Sequence, residues 1–250
     1  MSNIFAYDYQ GGAFQLLSAP HWAAILIIIA LNIFFILRKN HFDQRARQTI
    51  RYALAAILFL NESAWHIWHV VIGQWTLQEM LPLHLCSVLV WSGVYMLIKK
   101  DQSIYELSFL LGIPGALQAV LTPDLGIYGF PHFRYYQTFI SHGLIITSAI
   151  YMTAVEGFRP YPRGIRNIIV YGNLYMLAVT LVNFAIGSNY LFTAHKPPTA
   201  SLLDVLPPWP WYLLFVELIA FACVCLLYLP FFIKDRIAAA GKPTSLKALP

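Results

Sequence analysis

The chain has 250 residues, of which 59% are hydrophobic and only 11% charged, and it carries a net charge of +5 at neutral pH. With a mean hydropathy of +0.62, this composition excludes an ordinary soluble domain and points to an all-α, polytopic membrane protein. The positive charge is no argument for nucleic acid, because it gathers in short loops where anionic lipid head groups account for it.

A span needs roughly 20 apolar residues to cross about 30 Å of hydrocarbon. Seven runs qualify: Pro20 to Leu37, Thr49 to Ile72, Leu81 to Ile98, Ser103 to Leu121, Tyr135 to Val155, Arg166 to Ile186 and Trp209 to Ile233. Gly112, Pro114 and Gly115 interrupt the fourth and predict a kink. Short loops rich in Lys and Arg stay on the cytoplasmic side. With the N-terminus outside, 14 of the 16 Lys and Arg fall inside, leaving Arg134 and Lys196 outside. The expectation is one domain of seven transmembrane helices over residues 1–237, N-terminus outside and C-terminus inside, with a disordered tail over 238–250.

In chain order, the first residues lack a basic n-region and a small-residue cleavage site, so no removable signal peptide is read there. Phe14, Leu16 and Leu17 suggest a short segment lying at the outer interface. The second span carries Asn61, Glu62, His66 and His69 in its outer half. Glu62, His66, His69 and Gly73 follow helical spacing and share one face. Ionisable groups within a span usually face the bundle interior or a wet cavity, although a structural polar seam would show the same pattern.

The third span opens with Pro82, which suits a first helical turn and places the helix start near Leu81. Cys86 follows, where the helix dipole still acts weakly on a thiol. His84 is two residues away, about 200° round the helix, and points elsewhere. A lone cysteine is more often a small buried hydrophobe than a nucleophile. Cys223 and Cys225, far along the last span, read as packing residues. The loop Thr122 to Arg134 presents Asp124, His132 and Arg134 to a polar head group or to solvent. Beyond it, Ser141 and His142 lie in the outer third of the fifth span. At 1.5 Å per residue, His142 and His66 sit roughly 10 Å below the outer edge and Cys86 roughly 7 Å. Three helices therefore present Cys86, His66 and His142 at one level. Asn183 on the sixth span and Glu217 on the seventh add polarity in the outer half. Of the eight histidines, His41 alone falls on the inner side.

The Leu-His-x-Cys at Leu83 to Cys86, the Ser-His-Gly at Ser141 to Gly143, and the stretches Gly-Gln-Trp-Thr-Leu, Leu-Thr-Pro-Asp and Gly-Phe-Pro-His-Phe-Arg resemble the bacterial YwaF-type integral membrane proteins over nearly the whole chain. That group is similar to transmembrane protein 164 of animals, described as an acyltransferase that moves acyl chains between phospholipids with a cysteine and a histidine. The resemblance implies a phospholipid acyltransferase of the bacterial cytoplasmic membrane, with phospholipid and lysophospholipid as substrates. It also implies Cys86 as nucleophile and His142 as its base. Glu62, His66, His69, His84, Asp124, His132, Arg134, Ser141 and Asn183 are the supporting candidates, with Ser141, Asn183 and His66 as possible oxyanion donors. No nucleotide-phosphate loop or metal motif is present in the sequence, and no cofactor is expected. Water as acceptor would make the protein a lipase. A haem protein using His66 and His142, a transporter using Glu62 and Glu217, and a non-catalytic scaffold are the other classes open to these residues.

Overall fold

A computed structural model describes residues 3–198 and 201–240. All its regular structure is helical: α1 (Ala19–Arg38), α2 (Gln44–Val71), α3 (Leu85–Lys99), α4 (Gln102–Leu107), α5 (Ile113–Leu121), α6 (Phe133–Ala154), α7 (Pro162–Ile186) and α8 (Trp211–Ala240). A π-helical turn over Ser108–Gly112 joins α4 to α5, so the described residues form seven rods. The wide turn absorbs the break that Gly112 and Pro114 would otherwise impose, since proline cannot donate into the α-helical ladder.

Hydropathy and burial pick out different helices. The run Gln102–Leu121 and α1, α7 and α8 are long and apolar enough to cross a membrane, and with them the protein is an integral membrane protein. The most enclosed helix is α6, with 14 of its 22 residues buried. It packs against α1, α2, α3 and α5 around Leu58, Leu89, Leu110, Ile145, Ala149 and Met152. In α8 only Tyr212 and Val224 are buried. α2 is the most polar long helix, with Gln44, Arg45, Arg47, Gln48 and Arg51 at its basic start and Asn61, Glu62 and His66 further along, and α6 carries Gln137, Thr138 and His142. Polar residues that face a neighbouring helix lower hydropathy without exposing anything to lipid.

Element boundaries follow local chemistry. The Asp43 side chain caps α2, accepting from Ala46 N at 2.7 Å, so that helix begins before Thr49. α3 starts at Leu85 rather than near Leu81. Pro82 lies in the preceding turn, because Leu81 N donates to Tyr190 Oη at 2.8 Å and Leu83 O accepts from Tyr175 Oη at 2.9 Å. Those two tyrosines hold the stretch in a tight turn, closed by Leu83 N on Leu81 O at 2.7 Å, and move Cys86 into the first helical turn. α8 continues through Ala238 to Ala240. The remainder of the expected tail, 241–250, lies outside the described residues.

The bundle has two chemically distinct ends. The connections after α1, α3 and α6 form a basic end. At the other end the chain before α1 folds back over α2 and α6: Trp68 donates to Phe5 O at 2.9 Å, Tyr128 to Tyr7 O at 2.9 Å, and Phe133 N to Ile4 O at 2.9 Å. Phe14 packs against the core there, which gives the expected interface segment a fixed place.

Candidate functional site

The polar face of α2 is buried at its centre. Glu62 is 3% exposed, lies beside the Ser87 side chain of α3, and sits in the field of Arg134 on α6. Cys86 feels the Glu62 carboxyl in turn. One turn further on, His66 points Nε2 at Glu62 Oε1 across 4.0 Å, while its Nδ1 accepts from the Trp75 indole at 3.3 Å. An indole nitrogen only donates, so the Nε2 of His66 carries the proton. His69 donates Nδ1–H to Trp65 O at 3.0 Å, and its ring lies edge-on to Trp65 and Trp68.

α6 supplies the facing wall. His142 donates Nδ1–H to Thr138 O, one turn back, at 2.8 Å. This bond fixes the tautomer and leaves Nε2 as the acceptor nitrogen, the form a general base needs. Ser141 is buried beside it. Asn61 ties α2 to α6 at this level through Gln137 O at 3.0 Å. Arg134 stacks its guanidinium 3.8 Å from the Trp65 ring centroid, a cation–π contact, and donates to Gln137 Oε1 at 3.4 Å. Its charge reaches both Glu62 and His142, and Asp124 acts on it from the loop after α5.

α3 supplies the thiol. Cys86 is the second residue of that helix, partly buried and packed against the core. The first helical amide to find an acceptor is Val88 N, on His84 O at 3.0 Å. Those of Leu85, Cys86 and Ser87 are therefore the donors that a helix start leaves without an internal partner. Cys86 and His142 make no hydrogen bond to each other here. Their helices pack against each other, and the Glu62 carboxyl acts on Cys86 while Arg134 acts on Glu62 and on His142.

The other candidate residues build the surrounding loops. His84 faces Tyr190 and Phe192 and accepts from Leu191 N at 3.4 Å. Asn183 is fully committed: its Nδ2 donates to Tyr190 O and Thr193 Oγ1, and its Oδ1 accepts from Ser188 Oγ and Tyr190 N. His132 caps α6, accepting from Arg134 N at 3.1 Å and donating Nε2–H to Ala6 O at 3.1 Å. Burial, with help from the Arg134 charge, holds the His132 ring below the usual histidine range against the pull of the Ala6 carbonyl, as those two bonds of a neutral ring require. Glu217 lies half-buried on α8, outside the α2–α3–α6 cluster. Sequence patterns did not single out Ser87 or the Trp65 platform. A hydroxyl next to Cys86, and an aromatic one turn before His69, were the available signals. Among the described residues no three His, Cys, Asp or Glu side chains converge as a metal-ligand set.

The sequence model of the TMEM164 family matches residues 16–228, a stretch that contains every residue of this cluster. No curated protein and no solved structure matches the chain.

Proposed function

The chain belongs to the TMEM164 family, and from that premise we propose that it is a membrane-embedded phospholipid transacylase working through a Cys86 thioester. The observation that carries this reading is the mutual packing of α2, α3 and α6, tied at the level of Asn61 and Gln137, with His142 held in the tautomer that presents Nε2 as an acceptor. Seven spans, an outside N-terminus and an inside C-terminus put this level in the outer half of a bacterial cytoplasmic membrane, with the basic end facing inward. Four helices supply the apolar spans. α2, α3 and α6 complete the seven because their polar residues face one another.

In the first half-reaction, His142 Nε2 takes the Cys86 proton and the thiolate attacks the ester carbonyl of a phospholipid entering sideways from the leaflet. The tetrahedral oxyanion is met by the unpartnered first-turn amides of α3. This is the arrangement in which helix-start donors act on developing negative charge. Collapse breaks the ester C–O bond; the leaving glycerol oxygen takes the proton back from His142, releasing a lysophospholipid and leaving an acyl thioester. In the second half, His142 takes the proton of a hydroxyl on another lysophospholipid, which attacks the thioester. The new ester departs and the returned proton restores the thiol. No net hydrolysis or redox change occurs. Direct contact between Nε2 and Sγ forms only when substrate is bound, since catalytic hydrogen bonds commonly tighten on substrate binding.

Arg134 and Glu62 frame the site. Arg134 offers a cation for the lipid phosphate. Glu62, beside Ser87, orients the α3 turn that carries Cys86. Reconstitution in liposomes with an acyl-labelled diacyl phospholipid and an unlabelled lysophospholipid tests the reading. The wild type should move label to the acceptor, while Cys86→Ala and His142→Ala should not. Label released only as free fatty acid would make the protein a lipase. Transfer that survives Cys86→Ala would overturn the thioester.

A further inference from the structure

The basic end of α2 holds a feature unrelated to the thiol site. There the bundle opens into a cleft of ≈ 470 Å³ lined by Gln44, Arg47, Gln48, Arg51, Lys100 and Glu156, with Phe42 at its rim. Its charges do not cancel. Glu156 is the sole carboxylate on the wall, and two cations share it: Arg51 Nε at 3.2 Å and the Lys100 ammonium. Arg51 is 7% exposed and gives Nη1 to Leu97 O at 2.6 Å. Arg47 commits Nε to Phe42 O at 3.0 Å, which leaves its terminal amino groups for the cleft. Three cations thus face one carboxylate in a concave site.

The backbone holds Lys100 in place. It ends α3 in the left-handed conformation at φ +56°, closing on Met96 O at 2.8 Å. A residue with a Cβ adopts that conformation at a cost. The turn brings the Lys100 ammonium to Glu156, against the cleft. On the other side of Phe42 lies a second concavity, ≈ 420 Å³, walled by Phe42, Ala46, Thr49 and Ile50 together with Asp43 and Arg45. The polar cleft and this largely apolar groove meet at one phenyl ring.

A polar, cationic compartment joined to an apolar one matches an amphiphile with a phosphate head. We propose that this cleft binds the phosphate of an anionic phospholipid, with Arg47, Arg51 and Lys100 around the head group and an acyl chain laid past Phe42. Guanidinium groups suit the phosphate because their fixed fork of donors matches its oxygens. Glu156 keeps the two inner cations aimed when the site is empty. A free phosphate shares the head-group chemistry but not the groove, and the choice between the two is experimental. The proposal does not depend on the reaction at the other end of α2.

The test is native mass spectrometry of the full-length protein in detergent, after exchange into phosphatidylglycerol, phosphatidylethanolamine or inorganic phosphate alone. The wild type should retain phosphatidylglycerol in preference to phosphatidylethanolamine. An Arg47→Gln, Lys100→Gln double variant, which keeps the Arg51–Glu156 pair and so the fold, should lose that retention by about tenfold or more, the order expected for removing two cations near a head group. Unchanged melting of the variant confirms that it is folded, and Arg47→Lys should recover part of the retention. Equal phosphatidylglycerol retention by the wild type and a folded double variant would overturn the proposal. Stabilisation by inorganic phosphate with no retention of phosphatidylglycerol would overturn the lipid assignment.

Discussion

The two ends of α2 solve opposite problems with charged groups. At the basic end Arg51 and Lys100 carry permanent charge and share Glu156, an arrangement that locks α2, α3 and the end of α6 together and leaves little to titrate. At the other end α2 carries a carboxyl that acts on the Cys86 thiol and two imidazoles set among tryptophans, and backbone carbonyls of Trp65 and Thr138 fix the rings of His69 and His142. The first arrangement holds a shape. The second holds protons in chosen places, which is what acyl transfer requires. The same helix does both because its middle, around Leu54, Ala55 and Leu58, is packed apolar core that separates them.

The comparison predicts that substitutions at one end change chemistry and those at the other change stability. Cys86→Ala should abolish label transfer in liposomes, and His142→Ala should lower it by about 10²–10⁴-fold, the usual contribution of a general base. Both variants should melt close to wild type. At the basic end, Glu156→Gln should cost about 3–5 kcal/mol of stability, because it leaves the enclosed Arg51 charge without its counter-charge. Denaturation in detergent would read this loss, while transfer by the folded fraction stays near wild type. If Glu156→Gln silenced transfer without destabilising the protein, the division between the ends would fail.

Smaller effects sharpen the same contrast. Tyr190 Oη accepts from Leu81 N and donates to Leu77 O at 2.7 Å, so Tyr190→Phe should cost about 1–3 kcal/mol. Hydrogen exchange should rise first over residues 77–84, just ahead of Cys86, and transfer should weaken with it. Trp75→Phe removes only the 3.3 Å bond to His66. It should change stability by about 1 kcal/mol or less and leave transfer nearly intact, since His66 passes no proton to or from substrate in the proposed cycle.

Much of this organisation was legible in the sequence. Apolar length and punctuation marked the seven rods: the first was expected over Pro20 to Leu37 and is formed by Ala19–Arg38, and the fourth over Ser103 to Leu121 and is formed by Gln102–Leu121. Helical spacing put Glu62 and His66 on one face, where His66 Nε2 points at the Glu62 carboxyl. What the sequence could not show depends on partners far along the chain. Pro82 marks a helix start by its chemistry, but Tyr175 and Tyr190, more than ninety residues away, hold Leu81 to Leu83 in a tight turn and shift the start to Leu85. Asn183 and His132 look like any polar residue near a membrane interface. Only the fold reveals that loop backbone and neighbouring hydroxyls take up their hydrogen bonds. Ser87 gave no signal because a serine in an apolar run commonly bonds back to its own helix, as Ser92 does to Val88 O at 2.6 Å.

The central claim is a covalent one, so the most direct measurement is the intact mass of purified protein after incubation with a defined diacyl phospholipid and no acceptor. The account predicts a single added acyl mass on the wild type that hydroxylamine removes, absent from Cys86→Ala and strongly reduced in His142→Ala. An unmodified wild type, in protein that still transfers label between lipids, would contradict it and return Cys86 to the packing of α3.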